Sequence, residues 1–160
     1  MKKPYFNNVE IDNAEFMFRP NFEGRQEKYN TLGNKNFTIK LHNPDLITRM
    51  QEEGWNVKFT APTEEFPDPE PYIKVNVSYR MKAPKIHLVR GNQIICDLNE
   101  DTVRDIDYAR VTHMDMVIAP STYTRDDGET WQVSAYLDEL WIEYEQSRFS
   151  TKYSASMPEE

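Results

Sequence analysis

The sequence has few of the residues that mark secreted or membrane-spanning chains. Its 160 residues include one cysteine, Cys96, so no intrachain disulfide can form. Glycine is scarce, at five residues. The apolar runs are short, and this predicts no transmembrane helix. The first residues, Met1 to Tyr5, lack the apolar core of a signal peptide. We therefore expect a protein of the reducing cytoplasm.

Motifs for catalysis and metal binding are also missing. His42, His87 and His113 lie far apart in the sequence and share no metal-ligand spacing. Cys96 has no sequence context for a nucleophile, and we expect it to be a buried apolar residue. There is no phosphate-binding loop, zinc-protease motif or nucleophile elbow. The sequence therefore predicts neither an enzyme nor a bound cofactor or metal.

Aromatic residues are abundant by contrast. Phe, Tyr and Trp make up 12% of the chain, which is too many for a disordered protein, and the charged fraction of 29% indicates a polar folded one. The length suits one domain. We predict a single domain over residues 1–146, followed by a short flexible tail at 147–160.

Charge is divided unevenly along the chain, whose net charge is −8. Residues 97–160 carry 15 acidic and 5 basic residues, whereas residues 1–96 carry 12 acidic and 14 basic residues. The segment from Tyr72 to Cys96 contains five basic residues and no acidic one. Because salt screens charges more than about 10 Å apart at 0.1 M, such a strip is compatible with binding a polyanion despite the net charge.

Alternating apolar and polar residues predict a mainly β-structure with one clear helix. The helix is indicated by Asn43 as its N-cap, Pro44 in its first turn and Gly54 just beyond its end. One or two helical turns are expected at Glu100–Ile106. The predicted strands are Glu10–Phe18, Asn36–Leu41, Trp55–Phe59, Tyr72–Tyr79, Lys85–Val89, Gln93–Cys96, Arg110–Ala119, Trp131–Tyr136 and Glu139–Glu145. This order predicts a small barrel or sandwich with a helix packed on it.

Rings and positive charges alternate on and after the strand Tyr72–Tyr79. A protein that binds single-stranded nucleic acid needs cations for the phosphates and flat side chains for the bases. This segment supplies both, in Tyr72, Lys74, Tyr79, Arg80, Lys82 and Lys85. The competing interpretation is that Tyr79 packs in the core while the lysines keep a sheet edge soluble. The pattern alone leaves both open.

A second cluster of the same residue types lies nearer the N-terminus. Its candidate binding residues are Arg19, Phe22, Lys28, Tyr29 and Lys35. Phe18 continues the apolar alternation of the first strand, so we predict that it lies in the core. Phe22 and Tyr29 follow in a polar loop, and we predict that both are at the surface.

The order of several short blocks resembles that of a family of phage single-stranded DNA-binding proteins. The resemblance runs from about Val9 to Tyr144, and its specificity comes from the order and spacing of the blocks together. The matching blocks are Asn13–Phe22, Lys28–Asn30, Asn34–Phe37, Glu53–Lys58, Pro69–Val75, Pro84–Ile86, Ala135–Leu137 and Leu140–Ile142.

This resemblance implies an OB-fold-like five-stranded barrel with extended loops. It also implies sequence-tolerant binding of single-stranded DNA in phage replication and recombination. The family's aromatic and basic positions correspond to Phe22, Tyr29, Lys35, Trp55, Lys58, Tyr72, Lys74 and Lys85. Trp55 can equally be a core residue.

Several points stay open at this stage. The alternative function is a protein-interaction or structural virion module with no nucleic-acid ligand, whose binding would survive high salt. Homo-oligomerisation and binding to replication or recombination proteins are both compatible with the sequence. We also hypothesise that the acidic last third repels DNA from other faces of the protein.

Overall fold

The computed structural model describes residues 6–80, 82–124 and 127–145. Within these residues the chain forms eight strands, one α-helix and one 3₁₀ helix. The predicted tail at 147–160 lies outside these residues. The strands are β1 (Val9–Ile11), β2 (Lys35–Lys40), β3 (Val57–Phe59), β4 (Pro71–Val77), β5 (Lys85–Arg90), β6 (Gln93–Leu98), β7 (Arg110–Thr124) and β8 (Trp131–Glu145), and the helices are α1 (Pro44–Glu53) and the 3₁₀ helix (Val103–Tyr108).

Five strands follow one path across the sheet, in the order β1-β7-β8-β4-β2. Strand β8 runs parallel to β4 and β5, and the other strand pairs are antiparallel. Between β1 and β2 the sheet is open, but irregular chain crosses the gap. There the Met17 amide donates to the Thr38 carbonyl at 2.9 Å, and the Asn21 amide donates to the Asn36 carbonyl at 2.8 Å. The predicted mainly β, OB-like architecture is confirmed, although strand pairing does not close the barrel.

The first strand is shorter than predicted, and this changes the positions of two phenylalanines. Strand β1 ends at Ile11, and Asn13 then takes a left-handed φ of 52°, which breaks the strand alternation. Phe18 is therefore 64% exposed, so its predicted core position is wrong. Phe22 is 0% exposed and stacks on Phe37 with ring centroids 5.2 Å apart, so its predicted surface position is also wrong.

Helix α1 begins and ends where its capping residues predict. The Asn43 side chain accepts hydrogen bonds from the amides of Asp45, at 3.0 Å, and Leu46, at 3.4 Å. Gly54 ends the helix with a left-handed φ of 86°. Met50 is the buried residue of the helix and joins the core.

The two C-terminal strands predicted from the sequence are one continuous strand, β8. Its register against β7 shifts between Val117, opposite Glu139, and Ile118, opposite Leu137. Asp138 is thus an extra residue on β8, and such a bulge reverses the faces to which the following side chains point. The alternation before the bulge is out of phase with the alternation after it, which is why the sequence indicates two strands.

Strands β5 and β6 form the predicted hairpin, with its turn at Gly91-Asn92. Within the part of the chain that the structure describes, strand β6 pairs only with β5, so it is an exposed edge. Cys96 lies on this edge and is exposed, so its predicted burial is wrong. The chain then enters the 3₁₀ helix, where Val103 and Ile106 are buried, close to the predicted helical turns.

Candidate nucleic-acid interface

Tyrosine and lysine side chains cover the outward face of β2, β3 and β4. Alternate residues of β4 are buried, so Tyr72 and Lys74 lie on the outward side of the strand, as predicted. The strand register places Lys40 of β2 and Lys58 of β3 directly opposite Tyr72, one on each side. Such cross-strand neighbours are close enough to contact each other. Tyr72 therefore lies between two lysines, of which Lys40 pairs with Glu15 at 3.2 Å.

A groove of about 530 Å³ adjoins this face where β2 and β4 meet the loops. Its lining combines cations, one acid and two tyrosines. The side chains that matter for binding are those of Lys35, Lys74, Tyr79, Arg80, Glu100 and Tyr136. The groove thus combines residues of β2, β4 and β8 with residues of the segments that follow β4 and β6.

Tyr136 is a groove residue that the sequence analysis missed. It is 38% exposed and lies opposite Asn76 of β4 and Ala119 of β7. Its neighbours Ala135 and Leu137 are buried, so its side chain is on the outward face. That alternation was visible in the sequence. The parallel pairing that brings β8 beside β4 was not.

Tyr79 differs from the predicted open stacking platform. Its ring packs against the core, and the Lys35 ammonium lies 5.2 Å from the ring centroid. Its hydroxyl is buried with no hydrogen-bond partner within the described residues. Burial, followed by the negative charge of Glu100, raises the pKa of Tyr79 to about 12. The Tyr79 ring thus lies against a cation, and its hydroxyl remains protonated at neutral pH.

The predicted lysines and arginine differ in how far they are already neutralised. Among residues 6–80, 82–124 and 127–145, the exposed side chains of Lys58, Lys74 and Arg80 form no ion pair. Lys35 pairs with Glu100 at 2.7 Å, and Lys82 pairs with Asp138 at 2.9 Å. Lys85 is exposed at the start of β5, opposite Glu139 in the strand register.

The loop that precedes β2 is organised by the buried carboxylate of Asp107, which no sequence pattern singles out. Asp107 accepts hydrogen bonds from the amides of Phe22, at 2.7 Å, and Glu23, at 3.1 Å, and pairs with the Arg25 guanidinium at 2.9 Å. Burial raises the pKa of Asp107, and these hydrogen bonds and Arg25 oppose the rise. The anchoring explains why Phe22 is drawn into the core.

The remaining predicted residues are spread over three places. Tyr29 is 89% exposed at a loop tip, and the Lys28 ammonium lies 5.3 Å from its ring centroid. Arg19 lies in a different groove, with its guanidinium 5.2 Å from the centroid of Tyr108. Trp55 is 4% exposed and belongs to the core. Phe22 and Trp55 therefore present no ring face to a base.

Within 6–80, 82–124 and 127–145, no group of three or more His, Cys, Asp or Glu residues is arranged to hold a metal ion. Across the same ranges, the helices are too short and too polar to span a membrane.

An OB-like β-domain with an outward face of tyrosine and lysine beside a cationic groove has the features of a single-strand-binding protein. The family model described as "Putative phage ssDNA-binding domain" matches residues 1–160. The chain therefore belongs to this family of phage single-stranded DNA-binding domains, as its resemblance predicted. None of the curated proteins compared with it matches.

Solved structures agree with this fold. The single-stranded DNA-binding protein from bacteriophage Enc34, in complex with ssDNA, has 13% sequence identity and a TM-score of 0.56, and the match covers 89% of each chain. A C-terminal truncation of the same phage protein has 12% identity and a TM-score of 0.56, covering 88% of this chain and 87% of that one.

Proposed function

We propose that the chain binds single-stranded DNA along the outward face of β2, β3 and β4 and into the adjoining groove. The observation that carries this proposal is the ring of Tyr72 beside the unpaired cations of Lys58, Lys74 and Arg80. In OB folds, the second and third strands of the barrel form the ligand face. Here those strands are β2 and β4.

The mechanism combines neutralisation of phosphates with stacking of bases. Lys58, Lys74 and Arg80 contact the phosphates, while Tyr72 and Tyr136 stack on bases. Every base has a π-face, so stacking is tolerant of sequence, and the proposed binding has little sequence preference. The path of the DNA strand extends on one side to the exposed Lys28 and Tyr29 and on the other side to the exposed Lys82 and Lys85. Arg19 and the two core rings lie outside it.

We propose that the protein acts in phage DNA replication or recombination in the host cytoplasm. It acts there by binding DNA and not by catalysing a reaction. The binding unit is one domain over residues 1–146. Self-association and recruitment of replication or recombination proteins are compatible with this role.

A mobility-shift titration against poly-dT and a matched duplex tests the proposal. We expect clear preference for poly-dT, because only unpaired bases can stack on Tyr72 and Tyr136. Lys74→Gln should weaken binding, whereas Arg90→Gln, which removes the same charge at the hairpin turn, should leave it nearly unchanged. Equal affinity for the two nucleic acids, or binding to neither, would contradict the proposal.

A further inference from the structure

An acidic side chain lies inside the groove proposed to receive a polyanion. Glu100 follows β6 and lines the groove together with Lys35, Lys74 and Arg80. Its carboxylate is 2.7 Å from the Lys35 ammonium, the shortest separation that a strong charged hydrogen bond usually shows. A carboxylate in this position opposes the approach of DNA, so its presence needs an explanation.

The two partners of this ion pair are held very differently. Lys35 lies at the start of β2, in register with Val77 of β4, and its ammonium is supported by the ring of Tyr79. Its side chain is mostly buried. Glu100 belongs to the turn that links β6 to the 3₁₀ helix, and its side chain is about half exposed. The ammonium is therefore fixed, while the carboxylate has solvent into which it can move.

We propose that Lys35 and Tyr79 form a phosphate subsite, and that Glu100 occupies the phosphate position until single-stranded DNA displaces it. This inference rests on the proposed function. A phosphodiester oxygen takes the place of Glu100 Oε1 at the ammonium, and the carboxylate turns outward into water. No bond is made or broken other than the ion pair that is exchanged.

The exchange has a consequence for salt dependence. When a lysine neutralises a phosphate of single-stranded DNA, cations are released and log K falls with log salt by about 0.7 per phosphate. At this subsite the liberated Glu100 carboxylate attracts a cation in turn, which offsets that release. Lys35 therefore contributes affinity but adds little to the salt slope, whereas the unpaired Lys74 and Arg80 each contribute fully.

The test compares Glu100→Gln with the wild-type chain and with Glu10→Gln. The control removes the same charge from an exposed position of β1, which pairs with β7 and is not part of the groove. With a fluorescent dT oligomer, we expect Glu100→Gln to bind up to about fivefold tighter at low salt, the upper end of the range for an ion pair that solvent can reach. Its log–log salt slope should be steeper by about 0.7. The control should keep the wild-type slope.

The outcomes separate this inference from the proposed function. Wild-type binding with a Glu100→Gln slope equal to that of the wild type would overturn the inference alone. Equal tightening and equal slopes in Glu100→Gln and Glu10→Gln would also overturn it, since the effect would then be that of net charge. Failure of the wild-type chain to bind the oligomer would overturn the proposed function and this subsite with it.

Discussion

Single aromatic residues take one of two roles in this protein. Phe22 and Trp55 are apolar over most of their surface and are buried, where each contributes to the core. Tyr72 and Tyr136 lie on strands whose alternate residues are buried, so the strand holds their rings at the surface. A ring fixed in this way loses little conformational freedom when a base stacks on it.

Tyr136 provides a test at this scale because two substitutions separate its ring from its hydroxyl. Replacing Tyr136 with Ala should weaken dT binding by about 1–3 kcal/mol, the contribution of one stacked base. Tyr136→Phe keeps the ring and should bind almost as well as the wild type. Fluorescence anisotropy measures both affinities. Equal losses in the two variants would show that the hydroxyl, and not stacking, is responsible.

At the scale of elements, His87 connects the β5–β6 hairpin to β8. Its Nδ1 lies 2.6 Å from Asp97 of β6, and its Nε2 lies 2.7 Å from Glu139 of β8. Burial lowers the pKa of His87, but the hydrogen bonds and negative charges of the two carboxylates outweigh burial, and the net effect raises the pKa above 6.5. The protonated imidazolium is therefore the form that bridges the elements.

This bridge predicts a pH-dependent stability. A pKa raised in the folded state gives a stabilisation that is complete below the unfolded value of 6.5 and is lost as pH rises through the folded value. The free energy of unfolding of the wild type, minus that of His87→Gln, should thus decrease as the pH rises from about 6 through the raised pKa. Urea unfolding across this range measures the difference. A constant difference would mean that folding does not raise the pKa of His87.

The elements also show which features a sequence can predict. Helix α1 was predictable because Asn43 and Gly54 act on neighbouring backbone groups. The burial of Phe22 was not, because Asp107, more than 80 residues away, binds the amides of Phe22 and Glu23. Likewise, Tyr72 and Lys74 follow from strand alternation alone, whereas Tyr136 and Glu100 join the site only through pairing between distant segments.

At the scale of the whole molecule, the acidic last third is not confined to one side. Glu100 lies in the proposed binding groove, which does not agree with a simple division into a basic binding face and an acidic remainder. A second groove, between the hairpin and β7, does concentrate acids, with Glu10, Asp12, Asp115 and Glu143 in its lining. Acids of the last third therefore line both grooves, the first through Glu100 and the second through Asp115 and Glu143.

The charge distribution predicts how binding responds to salt. The three unpaired cations proposed to contact phosphates in the central face and groove, Lys58, Lys74 and Arg80, should by themselves give a log–log slope of about −2, at roughly −0.7 per phosphate. Lys74→Gln should reduce the magnitude by about 0.7. Titrations with a dT oligomer at increasing salt measure the slope. A value near zero would instead favour a protein-interaction module.

The extra residue Asp138 also determines where this chain tolerates changes in length. Adding or deleting one residue between Tyr136 and Leu140 would turn a buried row of β8 toward water, because strand side chains alternate. By contrast, the turn at Gly91 is exposed, and a side chain added there would contact nothing within 4 Å. An inserted tag or reporter therefore belongs at the hairpin turn, and the middle of β8 should be left at its present length.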